Sequence, residues 1–157
     1  MSATHPRILL VDDEPQILAA LGAVIRRAMP EVSVDMARDA AEAMALVGRH
    51  EYDLTVSDYR MPGEDGIAFL EHVRAKRPTT VRILLTAYPE QDAAIRGIND
   101  ARVDRFLTKP ISTAAFVEAL RGALDERRAD ANRAAAFARG LNALNEELRR
   151  ARQGPPA

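Results

Sequence analysis

The amino-acid sequence predicts an α/β fold in which helices cover both faces of a parallel sheet. Five short apolar segments alternate with segments whose apolar residues recur every three or four positions, which is the pattern of strands alternating with amphipathic helices. Tryptophan is absent and aromatic residues make up 4% of the chain, a composition that favours helices packed closely on a sheet over a β-sandwich.

The first strand and the first helix are predicted close to the N-terminus. Ile8–Val11 is a continuous apolar run and therefore predicts a buried strand. Pro15 suits the first turn of a helix, where the missing N–H is tolerated. Apolar residues recur at helical spacing from Ile17 to Ile25, and this helix is expected to end before Pro30.

An edge strand, a short helix and a third strand follow. Val32, Val34 and Met36 alternate with polar residues, which is typical of a strand nearer the edge of a sheet. Ala40–Val47 has the pattern of a short helix. Leu54–Ser57 predicts a third strand that, like the first, is followed by an acidic residue.

The middle of the chain predicts a loop, a helix and a fourth strand. Met61–Gly66 contains one proline and two glycines and therefore predicts a loop. The apolar residues between Ile67 and Val73 predict a helix that ends before Pro78. Val81–Leu85 predicts the fourth strand.

The last elements are a helix, a very short strand and a long helix. Pro89 opens a predicted helix that ends at about Asn99, and Phe106-Leu107 predicts the fifth strand. Ser112 suits the N-cap of a final helix, whose pattern continues to about Arg152.

Polar residues follow four of the predicted strands, namely Asp12-Asp13, Asp58, Thr86 and Lys109. Ligands of parallel α/β sheets bind beyond the carboxyl ends of the strands, so these side chains are candidates for one site. Clustered carboxylates need a neutralising cation, and their oxygens suit Mg²⁺. A carboxylate can also accept a phosphoryl group as nucleophile, with lysine and threonine stabilising the transferred charge. Each residue alone is more typical of a cap or a turn, and the joint placement favours the site.

Four segments carry a resemblance to a known family: ILLVDDEP, LTVSDYRMPGEDG, ILLTAY and FLTKP. In this order and spacing they resemble the receiver domain of two-component response regulators, over about residues 6–125. The resemblance implies a flavodoxin-like (βα)5 fold with parallel strand order 2-1-3-4-5.

The resemblance also implies the chemistry of the site. Asp58 would be the phosphoacceptor, receiving its phosphoryl group from a sensor histidine kinase or a phosphotransfer protein. Asp13 and Asp58 would ligate Mg²⁺ directly, Asp12 would do so through a water, and the backbone carbonyl of Arg60 would complete the protein ligands.

Further roles are implied around the acceptor. Thr86 would bond the transferred phosphoryl group, and Lys109 would pair with the acids before transfer and with the phosphoryl group after it. The bond before Pro110 would be cis. Phe106 occupies the position of an aromatic switch that turns inward together with Thr86; the alternative is a Phe with a purely structural role.

Two bulky residues flank the path of the water that would hydrolyse the acyl phosphate. Arg60 and Tyr88 depart from the residues of fast-decaying family members, and we expect them to prolong the phosphorylated state. The alternative is that both side chains point into solvent and have no effect on hydrolysis.

The predicted domain organisation is a receiver at residues 1–127, a helical extension at 128–153 and a disordered tail at 154–157. Two seven-residue series at coiled-coil spacing run along the last helix: Leu124, Ala131, Ala138 and Asn145, interleaved with Leu120, Arg127, Ala134, Leu141 and Leu148. A buried Asn145 would fix the register of a parallel homodimer paired from about Leu120 to Leu148. Because alanine is abundant throughout, a single amphipathic helix without a partner stays open as an alternative.

The leading functional interpretation is a phosphorylation-controlled signalling module whose own chemistry is limited to Mg²⁺-dependent self-phosphorylation and autodephosphorylation. The alternatives are a non-phosphorylated interaction scaffold and an Asp-nucleophile phosphatase. A net charge of −1 gives no reason to expect binding to nucleic acid or to an anionic membrane. The chain has no cysteine, and it lacks both a signal-peptide core and an apolar run long enough to span a bilayer. We therefore expect a cytoplasmic protein.

Overall fold

The structure, a computed structural model, describes residues 5–87 and 101–155. The chain divides after Leu124 into two compact units. The predicted helix from Pro89 to about Asn99 and the neighbouring Tyr88 lie outside the described residues, as do the last two residues of the predicted tail. Within the described part of the chain, no helix has both the length and the apolar character needed to cross a bilayer.

Five parallel strands form one sheet in the order β2-β1-β3-β4-β5, as predicted. They are β1 (Arg7–Val11), β2 (Ser33–Ala37), β3 (Leu54–Asp58), β4 (Val81–Thr86) and β5 (Arg105–Thr108). Every residue of β3 is buried, whereas β2 and β5 at the edges are partly exposed. The continuous apolar run at Ile8–Val11 therefore lies in an interior strand, and the alternating run lies at an edge.

Four helices are described: α1 (Pro15–Ala28), α2 (Ala40–Arg49), α3 (Gly66–Lys76) and α4 (Thr113–Gln153). Polar side chains cap the N-termini of three of them. Asp39 accepts a hydrogen bond from the backbone N–H of Glu42, and Asp65 accepts one from Ala68, both at 2.8 Å. The hydroxyl of Ser112 accepts one from the backbone N–H of Ala115 at 3.1 Å, which confirms the predicted N-cap of α4.

Each face of the sheet carries its own apolar core, because successive side chains of a strand point to opposite faces. Leu9 and Val11 of β1 pack with α2 and α3, in a cluster that includes Phe69 and Leu70. Ile8 and Leu10 pack with α1 and the start of α4, in a cluster whose helical members include Ile25, Phe116, Leu120 and Ala123. Helices therefore cover both faces, as predicted.

The second core corrects the predicted pairing of the last helix. Leu120 is fully buried and Leu124 packs against the same cluster. Both side chains are committed to the core of the first unit, so a homodimer seam cannot begin at Leu120.

The burial of Arg82 inside β4 was not anticipated from the sequence. The guanidinium of Arg82 is buried and donates hydrogen bonds to backbone carbonyls, among them those of Ala101 at 2.9 Å and Thr80 at 3.0 Å. The backbone N–H of Arg82 donates to the carboxylate of Asp104 at 2.7 Å. Burial lowers the pKa of Arg82, and the negative charge of Asp104 opposes that shift. These bonds tie β4 to the segment that leads into β5.

Candidate functional site

Three carboxylates meet at the carboxyl end of the sheet. Asp12 and Asp13 follow β1, and Asp58 ends the neighbouring strand β3. One carboxylate oxygen from each lies within 4.8 Å of the others. Asp12 and Asp58 are buried, and Asp13 is more accessible than either. The predicted acidic cluster is therefore present.

Lys109 reaches into this cluster from the segment after β5. Its Nζ lies 3.1 Å from Oδ2 of Asp12 and 3.1 Å from Oδ1 of Asp58. The backbone N–H of Lys109 donates to the carbonyl of Thr86 at 2.8 Å, and the peptide bond to Pro110 is cis, as predicted. One ammonium group thus bridges acids from two different strands.

Burial and charge act in opposite directions on the acceptor carboxylate. Burial and then the negative charge of Asp12 raise the pKa of Asp58, and the charge and hydrogen bond of Lys109 oppose that rise. Burial acts to lower the pKa of Lys109, but its contacts with Asp12 and Asp58 outweigh burial and raise that pKa. The lysine therefore remains an ammonium group.

The donor set fits a hard divalent cation. The candidate ligands are carboxylate oxygens, which Mg²⁺ prefers. With the three acids ionised, the single ammonium of Lys109 leaves an excess of negative charge that a divalent cation would neutralise. Arg60 and Asp13 both line a cavity of about 490 Å³. The role of the Arg60 backbone carbonyl as a ligand stays a prediction.

The backbone of Asp58 is held by residues that the sequence analysis did not identify. The hydroxyl of Ser57 donates to the carbonyl of Asp58 at 2.9 Å. Gly66, the first residue of α3, approaches this carbonyl so closely that a Cβ atom there would lie 2.0 Å from its oxygen. The backbone N–H of Gly66 donates to the carbonyl of Tyr59 at 2.8 Å. The glycine in the predicted loop was the available signal, but its contact partner could not be read from the sequence.

Three further predicted residues, Thr86, Phe106 and Arg60, are among the described residues. Thr86 is buried and ends β4, one position beyond the residue that pairs with Asp58. Phe106 of β5 is half-buried and packs against the core of α2 and α3. The side chain of Arg60 is exposed. The switch roles of Thr86 and Phe106 and the lifetime role of Arg60 stay predictions, and the proposed role of Tyr88 falls outside the described residues.

Comparisons with known proteins agree with this geometry. The family model of the response regulator receiver domain matches residues 8–121. The response regulator protein PilR of Pseudomonas aeruginosa is 32% identical over 131 residues, which are 83% of this chain and 29% of PilR. This chain spans between about a quarter and just under half of the length of the first curated relatives it matches.

Two solved structures show the same architecture. The signal receiver domain of an HD domain-containing protein from Pseudomonas fluorescens Pf-5 aligns with a TM-score of 0.78 at 33% identity, covering 85% of this chain and 96% of that one. The response regulator TrrA of Thermotoga maritima, in complex with Mg²⁺-BeF, aligns with a TM-score of 0.67 at 28% identity, covering 75% of this chain and 98% of that one.

Proposed function

Because this chain belongs to the response regulator receiver family, whose members are signalling modules, we propose that Asp58 is the residue that accepts the phosphoryl group. The donor would be the phosphohistidine of a sensor histidine kinase or of a phosphotransfer protein. The observation that carries this assignment is the placement of Asp58. It is the buried acid that lies at the end of the central strand and within 3.1 Å of the Lys109 ammonium.

The transfer follows from the groups at the site. A carboxylate oxygen of Asp58 attacks the phosphorus, the P–N bond of the donor breaks, and the imidazole leaves and takes up a proton. Lys109 pairs with the oxygens of the transferred group, and the hydroxyl of Thr86 donates a hydrogen bond to one of them. Bound Mg²⁺ would neutralise charge on the carboxylates and the phosphoryl oxygens.

Magnesium is supported by the chemistry of the donors and by a relative. Asp13 and Asp58 would hold the ion directly, Asp12 would do so through a water, and the carbonyl of Arg60 would complete the protein ligands. The TrrA structure is a complex with Mg²⁺-BeF, which supports the same ion as the cation bound by the acidic cluster of this chain.

The phosphorylated state would act through the edge of the sheet. Movement of Thr86 toward the phosphoryl group would let Phe106 turn inward from its half-buried position. Arg60 and Tyr88 would slow hydrolysis by obstructing the attacking water. Self-phosphorylation and autodephosphorylation are thus the only reactions that we assign to this chain.

Labelling with acetyl phosphate and Mg²⁺, followed by intact-mass measurement, tests the acceptor. We expect the full chain to gain the mass of one phosphoryl group and Asp58→Asn to gain none. Asp130→Asn is the matched control, because Asp130 is an exposed acid of α4 that pairs with Arg133 and is not one of the three clustered acids. Undiminished labelling of Asp58→Asn would reject the assignment. An unlabelled wild-type chain would favour the non-phosphorylated scaffold instead.

We also propose that the chain forms a parallel homodimer through α4, independently of phosphorylation. Support comes from large apolar side chains that α4 exposes beyond Leu124, since an isolated helix with such side chains is marginal in water. A cytoplasmic location and the absence of nucleic-acid and membrane partners stay predictions.

A further inference from the structure

The exposed apolar surface of the described chain is concentrated on one stretch of α4. Among residues 5–87 and 101–155, four large hydrophobic side chains are exposed: Phe137 by 70%, Leu141 by 45%, Leu144 by 52% and Leu148 by 49%. We call these four residues the heptad stripe. A monomer would leave the whole stripe in water, where it stabilises nothing.

The heptad stripe has the spacing of a coiled-coil seam. Its members are separated by four, three and four positions, which is the alternation of a and d sites. At about 100° of rotation per residue, the four side chains lie within an arc of about 60° on the helix. Ala134 and Ala151 continue the same alternation at the two ends. This narrow arc matches the contact made by another helix better than the broad face buried in a globular core.

We infer that the heptad stripe is the seam of a parallel, in-register coiled coil between two copies of this chain. The inference rests on the homodimer proposed above and specifies its interface. Leu141 and Leu148 occupy a positions, and Phe137 and Leu144 occupy d positions. Each large side chain then packs against its own equivalent in the second copy.

Charge complementarity favours a second copy in parallel orientation. With Leu141 at a, Glu147 falls at a g position and Arg152 falls at the e position five residues later. In a parallel pair, g and following e positions face each other across the seam, so Glu147 of each copy meets Arg152 of the other. An antiparallel pair in which all stripe residues meet apolar partners places Glu147 near Gly140 instead, without this charge pairing.

This seam differs from the series predicted from the sequence. In the new register Asn145 and Ala138 are both at e positions, beside the seam and not in it. Asn145 therefore does not fix the pairing. The sequence series was built around alanines that carry little information, whereas the exposure of Phe137 and Leu144 identifies the side chains that need a partner.

The oligomeric state of the full chain tests both the homodimer and its seam. We expect a dimer by sedimentation equilibrium at tens of micromolar. Leu144→Glu places two carboxylates in the seam and should weaken dimerisation by at least about 100-fold. Asn145→Glu is the matched control, since it adds the same charge at the adjacent residue, and it should leave the dimer intact. Equal helical circular dichroism would show that both variants keep α4.

Cysteine cross-linking reads the register directly, because the chain contains no cysteine of its own. Leu144→Cys should form a disulfide-linked dimer under mild oxidation, and Asn145→Cys should not, because equivalent e positions of a parallel pair lie apart. Cross-linking of Asn145→Cys but not of Leu144→Cys would overturn the seam while keeping the dimer. A wild-type dimer in which neither variant cross-links would overturn the parallel register. A monomeric wild-type chain that is still labelled by acetyl phosphate would remove the homodimer and its seam but keep the phosphoacceptor.

Discussion

Asp58 is held in a position where its ionised form is disfavoured in the absence of a cation. Burial and Asp12 together raise its pKa above the ordinary value of 3.8, despite the pairing with Lys109. The folded state therefore binds a proton more tightly than the unfolded state, and stability falls as pH rises through the interval between the two pKa values.

Asp58→Asn should accordingly raise the free energy of unfolding at pH 7 in the presence of a chelator. The gain should shrink as pH falls below the raised pKa of Asp58 toward 3.8, because wild-type Asp58 then becomes neutral as well. Urea unfolding at several pH values measures this difference. Saturating Mg²⁺ should stabilise the wild type more than the variant. It should therefore reduce the difference between their free energies of unfolding at pH 7. A variant less stable than the wild type at pH 7 without cation would contradict this account.

Gly66 holds the start of α3 against the backbone of Asp58. A methyl group at this position would overlap the carbonyl oxygen of Asp58, so Gly66→Ala must displace either α3 or the acceptor strand. We expect a loss of about 1–3 kcal/mol in the free energy of unfolding, together with slower labelling by acetyl phosphate.

Gly48→Ala is the control for this substitution. Gly48 lies inside α2, where a Cβ atom would meet only the end of the flexible Lys76 side chain at 3.8 Å. This variant should gain up to about 1 kcal/mol from helix propensity and keep the wild-type labelling rate. If Gly66→Ala were as stable and as readily labelled as Gly48→Ala, the close approach at Asp58 would have no consequence.

At the scale of the element, the interior strand β3 contains a hydroxyl group for which the described residues supply no hydrogen-bond partner. The hydroxyl of Thr55 is completely buried and makes no hydrogen bond within the described residues. Thr55→Val keeps the shape of the side chain and removes the buried hydroxyl, so we expect stabilisation by about 1 kcal/mol.

Thr80 is also a buried threonine, but its hydroxyl has a hydrogen-bond partner. Its hydroxyl is also buried but donates to the carbonyl of Tyr52 at 2.8 Å. Thr80→Val should therefore destabilise the chain by about 1 kcal/mol or more, because it leaves that carbonyl without its donor. Chemical denaturation of the two variants measures both effects, and a loss of stability in Thr55→Val would show that its hydroxyl has a partner in solution.

The elements were predictable where one periodicity dominated. The run at Ile8–Val11 identified an interior strand because both of its faces are buried, and Ser112 identified the start of α4 because it caps the helix. The strand order came only from the family resemblance. The burial of Arg82 was missed because its partners are backbone carbonyls, such as that of Ala101, and carbonyls leave no pattern in the sequence. The sequence shows the spacing of apolar and polar residues, but it does not show which distant groups a side chain contacts.

Some residues of the candidate site were likewise predictable from the sequence, and others were not. Asp12, Asp58 and Lys109 were identified because they follow strands whose carboxyl ends must share one edge of the sheet. Gly66 was missed because its role depends on the path of the loop before it. The seam that we infer for α4 differs in register from the series predicted from the sequence, since alanines fit either series. Only the burial of Leu120 and the exposure of Phe137 separate the residues of the core from those of the seam.

At the scale of the whole molecule, the acidic cluster and the heptad stripe belong to different compact units. Asp12, Asp58 and Lys109 lie in the unit that ends at Leu124, and the stripe lies in the unit that begins at Asp125. The apolar contacts proposed for dimerisation include no residue of the phosphoacceptor site. The formation of the dimer should then be independent of phosphorylation. We expect phosphorylation to change only how the two receivers of the dimer contact each other.

Truncation of α4 tests whether phosphorylation and dimerisation depend on different parts of the chain. A chain ending at Arg128 keeps the core residues Phe116, Leu120 and Ala123 and loses the whole heptad stripe. It should fold, be labelled by acetyl phosphate at the wild-type rate, and sediment as a monomer at tens of micromolar. The full chain should sediment as a dimer with and without beryllofluoride and Mg²⁺, and so should full-length Asp58→Asn. A truncated chain that remained fully dimeric would move the interface into the receiver. A full chain that dimerised only in the presence of beryllofluoride would mean that the acceptor site controls dimerisation. The heptad stripe is present with and without beryllofluoride, so in that case it would not be sufficient to form the dimer.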